Sequence, residues 1–145
     1  MRDLHNNIKV VRAITPAAVG TTGIAGGQLS GVLDRRGYEA VEFVISHGTA
    51  GVTSDTTTVI VYECATSDGS FTSVADANLL GTEAAAGLPA EATSRTSGVG
   101  KNIATKVGYI GTKRFLKIRL YGIGHATGLV SANAVMHRAG LAPVA

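Results

Sequence analysis

Residues 114–121, Arg-Phe-Leu-Lys-Ile-Arg-Leu-Tyr, alternate without a break. Leu116, Ile118 and Leu120 fall on one side of an extended chain, and Phe115, Lys117, Arg119 and Tyr121 on the other. Successive side chains of a strand point to opposite faces, so this reads as a half-buried strand with an apolar inner face and a basic, aromatic outer one. Gly111-Thr112-Lys113 introduces it and Gly122-Ile123-Gly124 ends it. Lys106 to Ile110 is expected to pair with it across Thr112-Lys113. Leu129 to His137, where Val130, Ala132, Ala134 and Met136 alternate with Ser131, Asn133, Val135 and His137, is expected to return antiparallel to it from the other side.

The rest of the chain repeats this pattern in weaker form, and no segment carries a helix-length apolar period. Ile8 to Ile14 is β-prone and is expected to end at Thr15-Pro16, because proline removes a ladder donor. Gln28 to Asp34 reads as a weak strand. Tyr38 to His47 is a strong one, with Val41, Phe43 and Ile45 alternating against Glu42, Val44 and Ser46. Thr56 to Ala65 is β-branched or aromatic without clean alternation, which predicts a central strand covered on both faces. Asp68-Gly69 marks a turn, and Asp76 to Leu80 a single helical turn stopped by Gly81. Short strands separated by Gly-rich turns predict an all-β fold, an antiparallel β-sandwich or barrel-like domain of roughly seven to nine strands. The 145 residues suit one domain, 1–145.

Two segments stand outside that pattern. Residues 1–7 are polar and read as an extended N-terminal arm. Residues 82–105 lose all period and read as a long Gly/Ala-rich loop, of a length usually reserved for function.

The chain carries little that chemistry needs. Gly98-Val99-Gly100-Lys101-Asn102 lacks the first glycine and the Ser or Thr of a phosphate-binding loop. Gly122 to Gly128 has its third glycine one residue late for a dinucleotide site, and no helix follows. His5, His47, His125 and His137 show no metal-ligand spacing. Glu39 and Glu42 fall on opposite faces of one strand, so they form no carboxylate pair. Cys64, the one cysteine, reads as a small buried hydrophobe and excludes an internal disulfide. No catalytic residue, metal ligand or cofactor site is assigned, and the chain reads as a non-enzyme. The opening residues contain no apolar signal region, and no apolar run reaches the roughly 20 residues of a membrane helix.

The basic set Lys113, Arg114, Lys117 and Arg119 is the one functional question. Alternating cations and aromatics bind single-stranded nucleic acid in some proteins. A net charge of +3 is too mild to favour that over a solvated face or a contact with an acidic protein. With 45% hydrophobic and only 16% charged residues, much of the surface must be neutral, as in a protein that packs against something.

Several stretches taken together resemble small virion structural proteins of tailed bacteriophages and prophages, of the head decoration (cement) type. They are Met1 to Ile14, Gly37-Tyr38-Glu39, Val107 to Gly111 followed by Lys113-Arg114-Phe115, and His137 to Val144. The resemblance implies a protein made in the host cytoplasm that binds the major capsid protein on the outside of the shell as a trimer and needs no cofactor, membrane or nucleic acid. Under it, Arg2, Asp3, Leu4, His5, Lys113, Arg114, Lys117, Arg119, Tyr121 and Arg138 are the expected interface residues, with the arm ordering against a neighbour. The alternatives are a head–tail connector or tail component, and a carbohydrate-binding β-sandwich with Tyr38, Tyr62, Tyr109 and Tyr121 lining a groove.

Overall fold

The computed structural model describes residues 5–20, 26–49, 56–88, 102–123 and 128–139. Among these, two antiparallel sheets pack face to face. The strands are β1 (Ile8–Ala18), β2 (Gln28–Leu29), β3 (Leu33–Asp34), β4 (Tyr38–His47), β5 (Thr56–Cys64), β6 (Thr72–Ser73), β7 (Leu79–Leu80), β8 (Ile103–Tyr109), β9 (Phe115–Ile123) and β10 (Leu129–Ala139). The first sheet runs β1-β10-β4-β8-β7. The second runs β2-β9-β5-β6, with β3 also on β9. The fold is the expected all-β antiparallel sandwich.

Alternation decides what meets in the middle. Phe43, Ile45, Val107, Tyr109, Ala134 and Met136 of the first sheet pack against Val59, Val61, Leu116, Ile118 and Leu120 of the second. Leu116, Ile118 and Leu120 are completely buried, and the residues between them are half-exposed, as the alternation requires. Each such aliphatic side chain contributes about 1.5–3 kcal/mol by leaving water.

The strand pairing departs from expectation at both neighbours of β9. β8 pairs with β4 and β7, and β10 with β1 and β4, so both lie in the opposite sheet. β9 instead pairs with β5, β2 and β3. Three consecutive strands with one apolar face each are buried best when the chain changes sheet between them, which brings those faces together. Residues 110–114 make one of these crossings.

Four local readings are corrected as well. β1 does not end at Thr15-Pro16. It continues to Ala18 with register shifts between Arg12 and Ile14 and between Ile14 and Ala17, because proline is tolerated at a bulged edge. Thr56–Cys64 does alternate. Thr57, Val59 and Val61 are buried while Thr58, Ile60 and Tyr62 are half-exposed, a difference hidden by β-branched residues on both faces. Cys64 is accordingly only partly buried. Residues 76–78 form a 3₁₀ turn that leads into β7.

The long loop is structured where it is described. A short helix, α1 (Glu83–Ala86), is capped by Thr82, whose Oγ1 accepts from the Ala85 amide at 3.0 Å. The segment 82–88 runs along the edge of β5 that β6 leaves open. Glu83 Oε1 accepts from the Val61 amide at 2.6 Å, and Thr57 and Leu88 exchange both backbone bonds. This covers an edge that would otherwise present unpaired amides. Residues 89–101 lie outside the described residues, and the loop does not reach 105: β8 begins at Ile103, three residues before the expected Lys106.

Candidate functional site

Outward side chains of β5 and β9 build one surface on the second sheet. The register sets Tyr62 opposite Lys117, Ile60 opposite Arg119, Thr58 opposite Tyr121 and Cys64 opposite Phe115. On the far side of β9, Leu29 of β2 lies opposite Arg119. The chain before β6 adds Phe71, over whose ring the Lys117 ammonium sits 4.1 Å from the centroid. Leu29, Tyr62, Phe71, Lys117 and Arg119 line a groove of about 210 Å³. A groove of that size is below the about 300–1,000 Å³ of pockets that engulf a drug-sized ligand.

Of the neighbouring cations, Arg114 is committed to Asp34. Arg114 donates to both carboxylate oxygens of Asp34, Nε to Oδ1 at 2.8 Å and Nη2 to Oδ2 at 2.5 Å, and lies 4.7 Å from the centroid of Phe115. The Arg114 hydrogen bond is the main cause that holds the Asp34 carboxyl down at about 2. Lys113 is exposed, and its backbone does the work: its amide donates to the Tyr109 hydroxyl and its carbonyl accepts from Arg35.

Lys117, Arg119 and Tyr121 are therefore brought together as expected, with Lys113 and Arg114 at the end of the same strand. The remaining interface candidates do not join them. His5 is exposed in a 3₁₀ turn before β1, on the first sheet's side, and Arg138 falls at the end of β10 in that sheet. Arg2, Asp3 and Leu4, and with them most of the arm, lie outside the described residues. The four tyrosines do not share a groove. Tyr109 is completely buried between the sheets and Tyr38 packs against the core from the first sheet, whereas Tyr62 and Tyr121 lie on the outer face of the second. Alternation and register divide them. Tyr62, Leu29 and Phe71 were the members that sequence reasoning missed as groove partners of Lys117 and Arg119, since only the pairing of distant strands assembles them.

The outer face of the first sheet has a different character. One cross-strand row runs Val10, Val135, Glu42, Gly108, Leu80 from β1 to β7. Val10 is 58% exposed and Leu80 50%. A Cβ on Gly108 would stand 2.6 Å from Glu42 Oε2, the movable end of a flexible side chain, and 3.0 Å from the Leu80 Cβ, so glycine keeps this part of the row low. The next row is Arg12, Asn133, Val44, Lys106, and Lys106 Nζ lies 3.8 Å from Glu42 Oε1.

A depression of about 300 Å³ at the end of the first sheet includes Ser46, His47, Asn102 and Ser131. Its one titratable group, His47, is 2% exposed with Nε2 within 2.9 Å of Thr105 Oγ1, so it serves the core. Among the described residues no group of three or more His, Cys, Asp or Glu side chains is placed to hold a metal ion, and no helix is long and apolar enough to cross a membrane.

No family model matches the chain, and no curated protein does. Among solved structures it is similar to the CBM22-1–GH10 modules of Clostridium thermocellum endo-1,4-β-D-xylanase 10B, crystallised with xylohexaose. The identity is 11% over 97% of this chain and 28% of that one, with a TM-score of 0.46. It is also similar to the xylan-binding module CBM15, at 10% identity over 96% of this chain and 95% of that one, with a TM-score of 0.43. The chain thus spans about a quarter of the xylanase chain's length. Likenesses this distant do not carry to this chain what those modules bind.

Proposed function

We propose that this chain is a non-catalytic binding module of a tailed-phage virion, a decoration subunit that sits as a trimer on the outside of the major capsid protein shell and stabilises it. The reading rests on the sequence resemblance and on one structural observation, the Val10–Val135–Glu42–Gly108–Leu80 row. That strip crosses the whole first sheet and leaves two large aliphatic side chains half or more exposed. Glu42 lies between them, so each is a separate apolar contact that gains free energy when a partner covers it. The shell is the occupant favoured by the resemblance, and β1, which carries Val10, is an edge strand that pairs only with β10 among the described residues, where a neighbouring subunit could add.

The test is addition of the purified protein to shells lacking it. Binding in multiples of three copies per site, a raised shell melting temperature, and loss of both in Val10→Asp and Leu80→Asp variants are expected. Attachment only at the portal vertex would place the chain with the connectors and tail components instead. Failure to bind any shell would refute the virion reading.

A second reading is a carbohydrate-binding module. It is favoured by the groove on the second sheet, where Tyr62 and Phe71 stand beside polar and charged donors on one outer face.

A further inference from the structure

We infer that the outer edge of β1 takes an added strand from another protein, an extended segment with acidic residues three positions apart. The inference rests on the virion reading for the neighbour's identity alone, and names what that neighbour presents at β1.

The strand order singles β1 out. The outermost strands elsewhere, β7 of the first sheet and β2, β3 and β6 of the second, have two residues each. The edge of β5 that β6 leaves open is closed by the segment 82–88. β1 has eleven residues and pairs only with β10 among the described residues. From Ile8 to Arg12 that pairing is unbroken, and the register shifts begin only after Arg12. An edge strand turns alternate backbone donors and acceptors away from its own sheet, where another extended backbone matches them.

Charge decides the occupant. Lys9 and Arg12 are exposed, and neither makes an ion pair or a side-chain hydrogen bond among the described residues. β1 contains no acidic residue. A second copy of β1 would set two more cations against these two, with no acid on either strand. Like charges across a strand pair are destabilising, and edge lysines prevent self-pairing in this way. An acidic strand turns the same charges into attraction. Lys9 and Arg12 are an odd number of positions apart, so their side chains leave opposite faces of β1. Residues directly opposite on antiparallel strands share a face. The matching acids therefore also stand three apart, one on each face. A nucleic acid would meet the cations and leave the backbone edge unmatched.

The experiment titrates the intact protein with short Thr/Val peptides that differ at two positions only. One carries two glutamates three apart, one two glutamates two apart, one two lysines three apart, and one no charge. Affinity is read at low and high salt together with hydrogen exchange of the β1 amides, and sedimentation of the protein alone reports self-association. The peptide with glutamates three apart should bind about fivefold or more tighter than the uncharged one, weaken as salt rises, and slow exchange in β1. Glutamates two apart should bind less well, because one of them misses its cation. A Lys9→Glu/Arg12→Glu variant should reverse the preference towards the lysine peptide. Binding of no peptide, binding without protection of β1, or an affinity indifferent to the charge reversal overturns the inference. Self-association that protects the β1 amides also overturns it, since the occupant is then a second copy. On shells lacking the protein, equal binding by the unaltered protein and the double variant overturns the inference and leaves the virion reading standing. If the unaltered protein binds no shell, the virion reading falls, and the peptide preference and its reversal decide the inference alone.

Discussion

The hydroxyl of Tyr109 donates to Oε2 of Glu63 at 2.5 Å, joining residues 46 apart in the chain and tying β8 of one sheet to β5 of the other. The same oxygen accepts from the Lys113 amide at 2.9 Å, and the Arg35 guanidinium lies 5.2 Å from the ring centroid. A sandwich is held mostly by non-directional apolar contact. This hydrogen bond fixes where one sheet sits on the other, at the point where the chain crosses between them.

Tyr109→Phe keeps the ring and removes the donor. It leaves Glu63 and the Lys113 amide short of a partner, at a cost of about 1–3 kcal/mol. Burial, then the bond to Glu63, pushes the Tyr109 phenol up to about 12 from 10.0. The folded state thus holds this proton more tightly than the unfolded one. The associated stability is fully present below about pH 10 and is lost as pH rises through about 12. Chemical denaturation of both proteins between pH 9 and 12 checks this: the gap between them should shrink as pH rises.

Arg35 should be the costlier loss nearby. It is 8% exposed, and its guanidinium donates to the carbonyls of Lys113, Tyr38, Glu39 and Gly111. No carboxylate neutralises it in these bonds, so its role is to close the corner between β3, β4 and the 110–114 crossing. Arg35→Met should destabilise by about 3 kcal/mol or more, since several buried carbonyls lose charge-assisted bonds together. Arg35→Lys should recover only part, because one ammonium cannot span the fork. Equilibrium urea melts rank the three proteins.

Faces within one strand should separate cleanly. Ile118 is completely buried, and Ile118→Ala should cost about 2–5 kcal/mol. Lys117→Ala should cost about 1 kcal/mol or less, the scale of an exposed cation over a ring. Comparable melting shifts would show the faces to be reversed.

That contrast also marks how far the sequence reaches. The inward set of β9 and β10 and the span of β4 are legible, because a two-residue period names the buried face directly. Sheet membership is not, since β8 and β10 would alternate identically beside β9 or across from it. Tyr62 and Lys117 are 55 positions apart in sequence and meet only through the β5–β9 register, so the groove had no local signal. Lys117 and Arg119 had one, their shared outward face. Pro16 misled as a terminator because an edge position cannot be recognised before the sheet order is known.

The last prediction concerns the strap over β5. Gly87 has an ordinary backbone angle, φ −82°, so its requirement is space: a Cβ would stand 2.3 Å from the Thr57 carbonyl oxygen. Gly81 presents the opposite case, with φ +81° and nothing nearer to a Cβ than 4.0 Å. Gly81→Ala should therefore cost about 1–2 kcal/mol of left-handed backbone strain and leave the strap seated. Gly87→Ala must push the strap off β5, breaking the Thr57–Leu88 pair and drawing Glu83 away from Val61. The exposed edge of β5 would then be a template for another chain. Hydrogen exchange at the Thr57 and Val61 amides should rise many-fold in Gly87→Ala and stay slow in Gly81→Ala. Light scattering on mild heating should increase in the first variant alone. Equal protection of those two amides in both variants would mean that the strap does not guard this edge.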